Sequence, residues 1–343
     1  MTAVLFPAVK VAFAIGWGMN IAGFLGWVER KQSAVMQDRI GANRASIFGF
    51  RIWGLFHPLA DAIKMLTKED FVAEGVIQPL HTLAPAISLG MGLLCLAALP
   101  FGGVVTIAGR VISLQPIEST VGLLLVTGML SLGVHGVVMA GYASGSNYGL
   151  LGGLRGAAQM ISSEVCLAST VAAVAAIYGT LDLQQAVAWQ VNHGVWGIVL
   201  QPLGFLVFLT AGAAVTKRAP FDVPEGESEI VGYHVEYSGM KFGMFLITDF
   251  IESIVISGLA AALYLGGWSV PGLHLDGIAG GLTMVLAFTT KVMLVLFLLM
   301  QIRWTLPRFR FDQVLELGWK NLLPLSLLNF VLTVWGIYLW QRG

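Results

Sequence analysis

Asp249 and Glu252 stand three residues apart in an apolar stretch, a spacing that puts both carboxylates on one face of a helix. Glu164 and Lys291 are likewise set inside apolar runs. An ionisable group within a bilayer costs ~2.5–3.5 kcal/mol on insertion scales, so each must face protein or water. A single acid–base pair would serve structure alone. Three acids against one base leave surplus carboxylates, which suits a proton or ion pathway; structural pairing is the competing reading.

The densest acidic stretch lies elsewhere, at Asp222, Glu225, Glu227, Glu229 and Glu236. Asp222, Glu225, Glu229 and Glu236 would form one stripe if the segment were helical, with Glu227 pointing away. Carboxylates crowded together raise one another's pKa values, so the cluster could hold and release protons near neutral pH. A solvated acidic loop beside Arg218 is the plainer alternative. A third charged segment, Glu29-Arg30-Lys31, ends the first apolar run. Snorkelling explains Arg30 and Lys31 there, but not Glu29. Arg39, Gly41, Asn43 and Arg44 follow without periodicity, as in an irregular, tightly turned loop.

The elements that hold these residues follow from composition. The chain has 343 residues, 57% hydrophobic and only 11% charged, with 19 basic and 19 acidic residues. Mean hydropathy is +0.80. A soluble domain carries about 25% charged residues. The expected fold is therefore all-α: one polytopic membrane domain over residues 1–343. Zero net charge argues against nucleic acid as a partner, and the hydrophobicity excludes a disordered chain. Windows of about 20 apolar residues suggest about eight spans. They fall at 4–28, 79–101, 117–140, 155–178, 194–216, 240–267, 279–302 and 318–340. The first run lacks a basic residue before Lys10 and outlasts a signal-peptide core, so it reads as a retained span.

Basic residues gather in the odd loops, above all at 29–78, 217–239 and 303–320, whereas the even loops and tails offer only Arg110 and Arg342. The positive-inside rule then puts the odd loops in the cytoplasm and both termini on the other side. Within loop 29–78, residues 47–68 carry a polar stripe of His57, Asp61, Lys64 and Lys68 opposite Ile52, Leu59, Ile63 and Leu66. That pattern fits an interfacial helix, or one packed on a partner, with a break or late start at Pro58. Cys95 and Cys166 are isolated, the six histidines are scattered, and no nucleotide fingerprint occurs. The expectation is a chain that binds no cofactor of its own.

Several motifs together resemble one family. They are Glu29-Arg30-Lys31 with Gln37-Asp38-Arg39-Ile40-Gly41, Ala60-Asp61-Ala62-Ile63-Lys64, Ala158-Gln159-Met160-Ile161-Ser162, Arg218-Ala219-Pro220-Phe221-Asp222 through Glu229, and His234 through Phe242. They are similar to the H-subunit family of bacterial NADH:quinone oxidoreductase, respiratory complex I. The resemblance runs from the first span to the last. It implies eight spans at the junction of membrane and peripheral arms, in the bacterial inner membrane, with both termini periplasmic. It implies that the cytoplasmic loops form the membrane-side wall of the quinone chamber. Electrons would come from FMN and iron–sulfur clusters in partner subunits. Peripheral-arm quinone-site subunits, small membrane subunits, lipid and quinone are the implied partners. Matching positions near the quinone path are Arg30, Arg39, Phe221, Asp222, Glu225, Glu227 and Glu229. Glu29, Glu164, Asp249 and Lys291, with Glu252, would belong to the polar path for protons. The chain departs from the pattern at Ala42, His57, Ser163, Asp249 and Val215, the last where many members have Glu. A hydrogenase-type membrane anchor shares the fold, and a proton-coupled transporter is the remaining alternative; the latter would need internal repeats, which are not visible.

Overall fold

The computed structural model describes residues 2–107, 110–226, 229–272 and 277–342. The chain opens with α1 (Thr2–Met36), followed by the short α2 (His57–Thr67) and by α3 (Gln78–Ala98). A two-stranded antiparallel hairpin, β1 (Val104–Ile107) and β2 (Arg110–Ser113), precedes α4 (Gly122–Ala143) and α5 (Asn147–Tyr178). Then come α6 (Leu183–His193), α7 (Gly197–Leu200), α8 (Pro202–Val215), α9 (Gly239–Tyr264) and α10 (Gly277–Thr305). The chain closes with α11 (Phe311–Glu316), a π turn at Leu317–Leu322 and α12 (Leu323–Arg342).

Among the described residues, seven helices are long and apolar enough to cross a membrane: Phe6–Met36, Gln78–Ala98, Gly122–Ala143, Asn147–Tyr178, Gly239–Tyr264, Gly277–Thr305 and Phe311–Arg342. The chain is a multi-pass, all-α membrane protein. The expected span at 194–216 is split. Gln201 leaves the helix at φ −136° and Pro202 starts a fresh one, so α8 alone has only 14 residues. Proline supplies no N–H for the preceding turn, which is why the break falls there. At 1.5 Å per residue, α7 and α8 together approach the ~30 Å of a hydrocarbon core.

The core is built around α9. From Ile251 to Tyr264 every residue is buried, as suits a helix apolar on all sides. It packs against α1, α3, α8 and α10. Glycine brings the backbones close: Gly92 faces Ile251, Gly212 faces Ile256 and Gly258 faces Leu99.

One expected boundary moves, the expected late start at Pro58 is seen, and one element is new. α1 continues through Glu29-Arg30-Lys31 to Met36, since nothing in that stretch breaks a helix. The interfacial helix is confined to His57–Thr67, with Pro58 in its first turn; residues 47–56 instead make turns with positive φ at Phe48 and Trp53. The hairpin in the second loop was unforeseen, although Val104, Val105, Thr106, Val111 and Ile112 are β-branched residues suited to strands.

The α3–α4 crossing yields a test. A Cβ on Gly136 would lie 2.9 Å from the Ala84 carbonyl oxygen, whereas one on Gly90 meets nothing within 4 Å. Gly136→Ala is expected to cost ~1–3 kcal/mol by overpacking, and Gly90→Ala to be neutral. Thermal inactivation of the detergent-solubilised protein measures both, and equal midpoints would contradict the crossing.

Candidate functional site

Two polar clusters meet where α8 ends. At Lys217 the backbone turns to φ +54°, a conformation that costs an L residue energy and persists only where the surroundings impose it. The turn sends the Lys217 side chain inward and leaves it 1% exposed. Its ammonium lies 3.2 Å from Asp249 Oδ1 and 3.1 Å from Glu252 Oε2, and donates to Glu252 Oε1 at 3.3 Å. The two acids do share one face of α9, as their spacing indicated. Burial opposes the Lys217 charge, but the carboxylates of Glu252, Asp249 and Glu225 outweigh it and push its pKa up.

Arg218, the next residue, points the other way. It donates to Glu29 at 3.3 Å and lies 3.7 Å from the centre of the Phe250 ring. Glu29 also accepts a very short contact from Arg303 of α10. One turn of chain thus feeds an inner cluster through Lys217 and an outer one through Arg218. Gln159 of α5 fixes this turn: its Nε2 donates to the Ala214 carbonyl at 2.8 Å and to the Phe221 carbonyl at 2.7 Å.

The outer cluster closes one end of a cleft of about 440 Å³ between α1, α2, α9 and α10. Met19, Gly23, Gly26, Pro58, Met65 and Phe250 line its apolar length. Its polar end holds Glu29 and the Arg30–Asp61 ion pair, which bridges α1 to α2 at 2.5 Å. The only neighbours of a Cβ on Gly23 or Gly26 are 4.0 Å away, so these glycines leave the space open.

Segment 217–239 is not helical in its described part, which corrects the acidic stripe. Pro220, Pro224, Gly226 and Gly232 break any helix there. Each described acid has its own setting. Asp222 pairs with Arg308 at 2.6 Å and Glu229 with Arg155 at 2.5 Å. Phe221 is buried and stacks on Phe309 at 5.5 Å. Glu225, 20% exposed, has His234 Nδ1 at 3.6 Å. Burial pushes the Glu225 pKa well up, reinforced by the Asp249 and Asp222 carboxylates and opposed by Lys217 and Arg218. Burial also raises Asp222, against the pull of Arg308. Glu227 lies outside the described residues.

Other expected residues stand apart. Glu164 lines a second cleft, about 280 Å³, with Ser131, Thr127 and Val215, and its Oε1 is buried with no hydrogen bond among the described residues. Lys291 does not pair with any described acid. It donates to the Leu265 and Ser269 carbonyls at 2.7 Å each and sits 5.0 Å from the Trp196 ring. Those carbonyls follow the end of α9, where a cation is favoured. Arg39 is exposed; it donates to Gln37 at 2.7 Å and to the hydroxyl of Ser33, which lines the cleft, at 3.4 Å. Sequence reasoning passed over Lys217 as a site residue. A lysine directly after a span looks like an ordinary cytoplasmic anchor, and only the left-handed turn redirects it.

With this geometry in hand, the comparisons with known proteins decide the family. The NADH dehydrogenase family matches residues 9–334. The chain belongs to that family. It is 44% identical over 327 residues to the second H-type subunit of the NADH-quinone oxidoreductase of Geobacter sulfurreducens, covering 95% of this chain and 94% of that one. The first H-type subunit of the Geobacter metallireducens enzyme is 42% identical over the same shares of the two chains. The H-type subunit of the Protochlamydia amoebophila enzyme is 42% identical over 92% of both chains. The similarity to these relatives runs nearly end to end in each case, so it covers both clefts and segment 217–239.

The raised Glu225 gives this NADH dehydrogenase family member a titration signature. An ordinary Glu loses its proton near pH ~4.3. Glu225, with its folded pKa raised, stays protonated through that range and releases the proton only as pH rises further. Infrared difference spectra on pH titration should show a protonated-carboxyl band, lost in Glu225→Gln, that fades above the ordinary carboxylate range. A band fading near pH ~4 would contradict the assigned environment.

Proposed function

We propose that this chain is the quinone-site membrane subunit of a proton-pumping NADH:quinone oxidoreductase. It forms the membrane side of the quinone chamber and starts the polar path that couples quinone reduction to proton translocation. The carrying observation is the junction of the apolar cleft with the charged turn. The cleft suits an isoprenoid tail along Met19, Met65 and Phe250, and Arg30 and Glu29 stand at its polar end. From that end Arg218 and Lys217 lead through two adjacent residues to Asp249 and Glu252 inside the bundle.

In this reading the described part of segment 217–239 faces the headgroup region, with Phe221, Asp222, Glu225 and Glu229 on the chamber side, Arg30 near the end of α1 and Arg39 on the loop that follows it; Glu227, outside the described residues, is assigned the same role. Glu29, Asp249, Glu252 and Glu164 carry the polar path. Lys291, held by two carbonyls, stabilises the far end of α9. The chain supplies walls and charges but no electrons, which partner subunits with flavin and iron–sulfur clusters provide. Other subunits of the complex cover its exposed faces together with lipid. The basic odd loops face the cytoplasm of a bacterium and both termini the periplasm, in keeping with the charge bias.

Two measurements test this. Gly26→Leu puts a side chain into the cleft where a Cβ would meet only Phe250, at 4.0 Å. The assembled complex should show a quinone KM raised several-fold, with electron flow from NADH to a soluble ferricyanide acceptor unchanged. An unchanged quinone KM would remove the cleft from the quinone path. Glu164→Gln keeps shape and hydrogen bonding but not the titratable proton. It should assemble and lose quinone turnover and pumping together; near-normal values for both would leave Glu164 a structural residue.

A further inference from the structure

Lys217, Asp249 and Glu252 form an arrangement that neither acid–base pairing nor a chain of carboxylates describes. One ammonium serves two carboxylates at 3.2 and 3.1 Å, and the three side chains are 1%, 7% and 4% exposed. With both acids ionised the trio would carry one net negative charge inside the bundle, where an unmatched charge is costly. Asp249 Oδ1 and Glu252 Oε2, the buried oxygens that face the ammonium, have no further hydrogen-bond partner among the described residues. One ammonium cannot neutralise two buried carboxylates, so one of the two acids is a place for a proton.

We propose that Lys217 is the fixed counter-ion of a single-proton site shared by Asp249 and Glu252. The inference deepens the functional reading above and rests on it. One carboxylate balances the ammonium and the other carries the exchangeable proton. Either acid can take either part, because the ammonium is nearly equidistant from the two. The proton arrives from the segment that holds Glu225 and leaves toward Glu164, with no bond formed or broken other than O–H. The charged and titratable groups around the site are Asp222, Glu225, Arg218 and Tyr233 of the 217–239 segment, Glu164 of α5 and Cys95 of α3. Arg218 is committed to Glu29, so Lys217 is the cation in contact with the two acids. Lys217 is thus a positioning residue: it sets how tightly the pair holds its proton.

The test uses the assembled complex in membrane vesicles, with NADH-driven quinone reduction and proton translocation normalised to complex content. Glu252→Gln and Asp249→Asn each leave a balanced ion pair with no spare proton. Both should assemble, and pumping in both should fall below one-fifth of wild type. Pumping above that in either variant, or failure of either to assemble, overturns the shared site. Adding Lys217→Met to Glu252→Gln leaves Asp249 as a lone protonatable acid. Pumping should recover at least threefold over the single variant. The acid limb of its pH–turnover profile should move up by at least one unit, because an acid without its counter-ion holds its proton more tightly. No recovery, or a profile superimposable on wild type, overturns the part given to Lys217. If the wild-type complex itself shows no NADH-driven quinone reduction, the functional reading falls. If wild type works and the variants miss these outcomes, the inference alone falls.

Discussion

Charge inside a low-dielectric bundle has to be matched by charge, and here the match is made at one bend of the backbone. Lys217 reaches inward to Asp249 and Glu252, and Arg218 reaches outward to Glu29. Two successive side chains can diverge this way because the chain turns through φ +54° at Lys217. That conformation is not favoured for a lysine, so the neighbours have to enforce it. Gln159 does so from α5 through the carbonyls on either side of the turn, at Ala214 and Phe221. If the ammonium were displaced, two buried carboxylates would lose their partner, and breaking such a contact is among the costliest local changes a fold can suffer.

The outer cluster extends the same constraint to the periphery. Glu29 of α1 takes contacts from Arg218 and from Arg303 at the end of α10, and the next residue, Arg30, reaches Asp61 of α2. α2 has no buried residue of its own, so propensity and core packing cannot position it. Its seat against α1 and α9 depends on that ion pair and on the apolar wall of the cleft. A change in occupancy at the polar end of the cleft would therefore be felt by Glu29, and through Arg218 by the turn that aims Lys217. The connection is one of packed, charged neighbours.

Much of the scaffold was legible in the sequence because bilayer thickness imposes a length on every apolar run. The runs around Gly122–Ala143 and Gly239–Tyr264 announced themselves in this way, and the 249/252 spacing gave a shared helix face directly. The helix at His57–Thr67 was legible from its stripe and its Pro58. What failed was inference across space. The acidic stripe of the 217–239 segment assumed a helix that its own prolines and glycines forbid, so Asp222, Glu225 and Glu229 face three different partners. Lys291 looked like the base for the buried acids because it was the cation inside a span. The true partner comes from a loop residue whose direction depends on a backbone angle that no pattern of residue types encodes.

Val215 shows how the two levels combine. The family resemblance marks its position as one where many members carry Glu, and the structure puts Val215 on the wall of the cleft that Glu164 enters. An apolar residue there leaves Glu164 as the acid of that cleft, with Ser131 and Thr127 as its polar companions. Two further buried acids lie on α9, beside an ammonium that stands two residues after Val215 in the chain. Loss of an acid at 215 and presence of a cation at 217 act in the same direction on the local charge, since each makes the region less negative. A polar path is thus constrained less by any single carboxylate than by the net charge that the bundle can tolerate around it.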